Sequence, residues 1–145
     1  MTVTIKSAIQ VIESHLNASG YFPGGVSVGE PSDPPSDDFA SIFMGNIEHA
    51  STTLNGTIER RTWIIRLYVK AFREPRWEIE YLLDEMYADI MTRLLGDYTL
   101  GGNVRNIEPL NLRLAPAYQT VGGTVFRLAD ISVPMLVDDS ATYAE

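Results

Sequence analysis

Residues 39–72 read FASIFMGNIEHASTTLNGTIERRTWIIRLYVKAF, and their patterning decides the fold. Two apolar-rich runs, Phe39–His49 and Ile58–Phe72, flank the tetrapeptide Leu54-Asn55-Gly56-Thr57. Asn-Gly is a strong hairpin signal because a type I′ turn needs positive φ at both central residues. With Leu54 set opposite Thr57, strand alternation then sorts the hairpin into two faces. One carries Ala40, Ile42 and Met44 opposite Ala71, Val69 and Leu67, with Ile65 and Trp63 further out, which suits a core. The other carries Phe39, Phe43 and Ile47 opposite Phe72, Tyr68 and Ile64, with Arg66 and Lys70 interspersed. That second face is too apolar to rest in water. The polar stretch Glu48–Arg61 offers few core candidates, so the hairpin tip is expected to project beyond the body.

Working outward, Ile5, Ala8, Ile9, Ile12 and Leu16 make one helical stripe, predicting a helix from about Val3 to Asn17 that ends at Gly20. Gly20–Asp38 holds four Gly, four Pro and four acids and is expected to be a mobile loop. After the hairpin, Pro75 suits a first helical position. Ile79, Leu82, Leu83, Met86, Ile90, Met91, Leu94 and Leu95 predict a second helix, ending before Gly96. Val104–Ala115 and Thr124–Val137 read as strands around Val121-Gly122-Gly123, the last alternating Ala129, Ile131, Val133 and Met135 with Leu128, Asp130 and Ser132. The expected fold is α+β: a four-stranded, mainly antiparallel sheet with a long β-hairpin and two helices packed on one face. Residues 1–137 form a single domain in this reading, and 138–145 a polar C-terminal tail.

The composition fits one domain: 145 residues, 45% hydrophobic and 21% charged, enough for a core without staples. Eleven basic against nineteen acidic side chains give a net charge of -8. Nucleic-acid binding through phosphates needs a basic cluster, so no direct nucleic-acid partner is expected. The absence of cysteine removes disulfides, thiolate metal sites and thiol nucleophiles. Apolar runs stop at three residues, which predicts no membrane span and no signal-peptide core, and hence assembly in a cytoplasm. The charge is uneven. Up to Glu59 one base, Lys6, stands against seven acids, whereas ten bases face twelve acids from Arg60 onward. Differently charged surfaces could set register between head-to-tail copies.

Few motifs carry chemistry. Gly25-Val26-Ser27-Val28-Gly29 spells G-x-S-x-G, but a nucleophile elbow needs a strand before the serine, a helix after it, and a later Asp and His. Prolines at 23 and 31 and the lack of a suitable later histidine favour a glycine-rich turn. Glu78, Glu80, Asp84, Glu85 and Asp89 crowd the second helix, where dipole and Asp89–Arg93 pairing explain them better than acid–base or cation chemistry. His49 lacks a second histidine at ligand spacing, and His15 lies on another element. No phosphate-binding glycine motif occurs. Trp63 is expected to seal the end of the core and Trp77 to pack near the helix start. No catalytic residue, cofactor or metal is therefore expected. A small acidic enzyme or ligand-binding domain using the acidic helix or the Gly25–Gly29 loop is the reading from another class.

What remains unusual is the apolar second sheet face, a common sign of a protein partner. Phe43, Ile47, Ile64 and Tyr68 are its candidate anchors in a subunit interface, with Arg66 and Lys70 pairing with a neighbour's acids. The element order resembles the tail-terminator (tail-completion) proteins of long-tailed bacteriophages. The likeness rests on the opening helix Thr4–Leu16 and the hairpin Phe39–Phe72 around Asn55-Gly56. It continues through the helix Arg76–Leu95, which leads into Asp97-Tyr98-Thr99-Leu100-Gly101-Gly102, and the closing strand Val125–Val137. It is one of pattern across nearly the whole chain, and the long Gly20–Asp38 segment departs from it. The resemblance implies a non-enzymatic virion protein at the head–tail junction. It would form a ring, expected to be a hexamer, that caps the tail tube, ends its polymerisation and joins it to the head connector. Its partners would be itself, the tail tube protein and the head–tail connector protein. Another neck or head-completion protein is the neighbouring alternative.

Overall fold

The computed structural model describes residues 4–31, 33–53, 56–71, 77–114 and 118–138. Helix α1 (Thr4–Ser19) and α2 (Glu78–Leu95) flank nothing but one side of a curled mixed sheet. In chain order its strands are β1 (Val26–Val28), β2 (Phe39–Thr53), β3 (Gly56–Lys70), β4 (Asn106–Ile107), β5 (Asn111–Leu114), β6 (Gln119–Val121) and β7 (Thr124–Asp138). The sheet order is β1-β2-β3-β7, with β4, β5 and β6 ranged along the far side of β7. The three long strands pair antiparallel, and β1 joins β2 in parallel. The chain is thus α+β with two helices, and its sheet is richer than the expected four strands. A short strand arises inside the Gly20–Asp38 loop, where Val26 and Val28 alternate with Ser27. The strand expected at Val104–Ala115 is broken into β4 and β5 around Pro109.

Both helical stripes fold onto the same sheet face. Ile5, Ile9, Ile12 and Leu16 meet Ile79, Leu83, Met86 and Ile90 above Ile42, Ile65, Leu67, Ile131 and Val133 in one core cluster. The end of α1 is marked by Gly20 at φ 80°, a left-handed stop. Pro75 and Arg76, at the expected start of the second helix, lie outside the described residues, as do Phe72 and the tail 139–145.

The hairpin keeps its faces and slides its register. Ala40, Ile42 and Met44 stand opposite Leu67, Ile65 and Trp63, not Ala71, Val69 and Leu67, a slide of four residues. Two of the four come from the turn, since Thr53 pairs with Gly56; Leu54 and Asn55 lie outside the described residues. The other two come from irregularities between Met44 and Asn46 and between His49 and Ser51, each adding one residue to β2. Gly45 fills the first: a Cβ there would lie 2.9 Å from the Thr62 carbonyl oxygen. An even slide returns each side chain to its own face, so the core set is unchanged. Between the two bulges the slide is odd, and Ile47 changes face to stand opposite Arg61 on the helix side. Nor does the hairpin stem project as a bare pair of strands. β7 accompanies β3 as far as Ile58, and Glu59 and Arg61 are buried beside Met135 and Val137.

The connection from β1 to the parallel β2 has to cross a face of the sheet, and it crosses the face opposite the helices. The Tyr68 hydroxyl donates to the Glu30 carboxylate at 2.8 Å, and the Lys70 backbone N–H donates to Asp38 Oδ1 at 2.9 Å. Pro34 backs onto Gly122 at the β6–β7 turn, where a Cβ would come within 3.2 Å of the proline ring. Beneath this strap Phe39, Tyr68, Phe126 and Leu128 form a second buried cluster. Phe39 stacks on Tyr68 at 4.0 Å, and Phe126 meets both rings edge-on. Half of the surplus apolar face is therefore buried by the chain's own acidic, proline-rich loop.

Candidate functional site

The uncovered half of that outer face lies beyond the strap. Phe43 and Ile64, cross-strand partners, are both half-buried there. Arg66 places its guanidinium carbon 4.9 Å from the Phe43 ring centroid, a cation–π contact. The same guanidinium donates twice to Asp130 on β7, at 2.8 and 3.0 Å, and this forked contact keeps it charged. The result is a flat patch of two apolar side chains beside a rigid ion pair.

The six residues expected at a subunit interface thus fall into three places. Phe43, Ile64 and Arg66 share the open patch. Tyr68 is 2% exposed beneath the strap, where burial first and the Glu30 carboxylate second push its hydroxyl up to about 12. Lys70 lies at the strap's edge, 3.6 Å from Asp37. Ile47 stands on the helix side at the sheet's edge, 43% exposed.

That edge carries apolar surface the sequence did not single out. Val28 on β1 and Met44 on β2 are 56% and 53% exposed. They adjoin a groove of about 400 Å³ lined by Ile5, Ile9, Val28 and Trp63, with Lys6 and Glu13 at its rim. Trp63 packs on the core as expected, yet its indole N–H is buried without an acceptor among the described residues. The available signal was the alternation Val26-Ser27-Val28, which marks a strand even inside a glycine-rich loop.

The catalytic readings find no geometry. Ser27 is in β1 and donates its hydroxyl to the Gly29 carbonyl at 2.9 Å, and no helix follows it. On α2, Asp89 accepts from Arg93 at 2.8 Å and Glu80 lies 3.5 Å from Arg127, while Glu78, Asp84 and Glu85 point to solvent. Among the described residues no group of His, Asp and Glu is placed to hold a metal ion. Trp77 meets Tyr81 edge-on at 5.7 Å at the start of α2, as expected, and is otherwise exposed, at 63%. No helix among the described residues is long and apolar enough to cross a membrane.

His15 has a structural duty instead. Its Nε2–H donates to Asp97 Oδ2 at 3.0 Å, tying α1 to the loop after α2. That bond, then the Gly101 N–H, holds the Asp97 carboxyl below its ordinary 3.8. A carboxyl depressed by folding contributes stability above its unfolded value, and this is lost as pH falls through the folded one. Melting curves across pH should therefore place Asp97→Asn below the parent near neutrality, with the two converging below about pH 4. A constant gap down to acid would show that the contact carries no charge term.

No protein family matches the chain, and no curated protein is similar to it. Among the described residues, the arrangement offers contact surfaces and no convergent reactive groups.

Proposed function

We propose that this chain is a ring-forming structural protein of a virion: a tail terminator that caps the tail tube, ends its polymerisation and joins it to the head connector. The ring is read as a hexamer assembled in the host cytoplasm and placed at the head–tail junction, with the tail tube and head–tail connector proteins as its other partners. The observation that carries the reading is the uncovered sheet surface, where Phe43, Ile64 and Arg66 lie on the outer face and Val28, Met44 and Ile47 at the edge. Apolar side chains left outside a core this complete are suited to a partner. Identical copies meeting through unlike patches close into a ring when the rotation between them divides a full turn. The pattern resemblance along the chain supplies the specific role, and that role needs no enzyme chemistry and no cofactor.

Negative-stain microscopy of the purified chain, alone and mixed with tail tubes, tests this. Rings, or tubes with capped ends, are the expected result. Monomers that leave the tubes uncapped and still growing would overturn it.

A further inference from the structure

Beyond Ile42, the outer backbone edge of β2 from Met44 to Thr53 pairs with no described strand. The opposite boundary of the sheet is open as well, because β5 pairs with β7 on one side and with no described strand on its other. An unpaired row of peptide N–H and C=O groups is a template for another strand, and proteins usually blunt it with lysine, proline or a covering segment. The β2 edge instead presents Met44 and Ile47, each around half exposed, beside the groove floored by Trp63.

The two edges also differ in charge and match in direction. The β2 edge belongs to the half of the chain with one base against seven acids; its one acid, Glu48, lies 3.4 Å from Arg60 and keeps its side chain 52% exposed. The β5 edge carries the exposed Arg113, whose cross-strand neighbour Asp130 is already held by Arg66. β2 runs antiparallel to β3, β3 to β7, and β7 to β5, so β5 runs antiparallel to β2. Rotating the chain about an axis along its strands therefore sets β5 of one copy antiparallel to β2 of the next, with the helices of both on the same side.

We infer that the β5 edge of one copy adds to the β2 edge of a second copy, so that the sheet continues from subunit to subunit. Main-chain hydrogen bonds give this contact its strength, burial of Met44 and Ile47 adds to it, and Arg113 meeting Glu48 on the outer face sets its polarity. Such a contact is head-to-tail and closes when its rotation divides a full turn. The inference rests on the self-assembly reading above and names its surface.

Sedimentation velocity over a concentration series compares the full-length parent with Glu48→Lys, Arg113→Glu and the double variant. Both positions are exposed and both lie on the outer face, so thermal melts should remain close to the parent's. Each single change sets like charges across the joint and should weaken self-association about tenfold or more. The double variant, in which an introduced lysine faces an introduced glutamate, should recover most of the loss. Single variants that associate like the parent would overturn the edge contact; rings still seen by microscopy would then leave self-assembly standing. A parent that is monomeric both in solution and on tail tubes would overturn the two together.

Discussion

Replacing Phe126 by alanine is expected to remove about 3–5 kcal/mol of folding stability. Its ring is wholly buried on β7, at the side of the sheet away from the helices, where it meets Phe39 at 5.4 Å and Tyr68 at 5.8 Å, each nearly perpendicular. Two terms add. Burial of the ring is lost with a cavity left behind, and each edge-to-face contact contributes roughly 0.5–1.5 kcal/mol beyond burial. Collapse into the cavity is hindered from every side. Phe39 and Tyr68 are already stacked on each other, and the strap above is pinned by Glu30 and by Pro34 against Gly122. For a chain of this size each kcal/mol lowers the melting temperature by roughly 2–4 °C, so a loss on the order of 10 °C should follow. Urea unfolding of parent and variant gives the number. A cost under about 1 kcal/mol would mean that the strap lies loosely over the aromatic cluster and that this face is effectively open.

That cluster also shows where sequence reading stops. The core face of the hairpin was legible because period-two alternation survives any even slide: Ala40, Ile42, Ile65 and Leu67 face the helices although their pairing shifted by four. The helical stripes were legible for the same reason, since periodicity is a property of neighbouring residues. The bulges were not. A glycine and an alanine inside a strand do not announce an extra residue, and Gly45 reveals its role only through the Thr62 carbonyl pressed against it. Ile47 changed face as a consequence, so a site residue moved from a face to an edge. The fate of the second apolar face was equally hidden. Phe39 and Tyr68 belonged to a face with the composition of a binding surface, and only the path of the strap distinguishes a surface kept for a partner from one covered by the chain itself. For this reason Tyr68→Glu would damage the fold, whereas Ile47, exposed at the edge, is a cleaner probe of association.

Replacing Arg61 by methionine is expected to cost about 3–5 kcal/mol near neutral pH, as much as losing a core aromatic ring. Arg61 and Glu59 alternate on β3 toward the helix side, with Met135 and Val137 as their partners on β7. The side chains are each 10% exposed, and Arg61 donates to Glu59 Oε1 from Nε at 3.2 Å and from a terminal nitrogen at 2.9 Å. In such a setting the pair itself adds little, because desolvation offsets most of the attraction. Breaking it is different, since a carboxylate then remains buried with its forked donor gone. The double variant Glu59→Gln with Arg61→Met removes the stranded carboxylate and should recover most of the stability. Chemical denaturation of all three proteins at pH 7 separates the cases. A cost of Arg61→Met that persists in the double variant would assign the role of Arg61 to its packing and not to its charge.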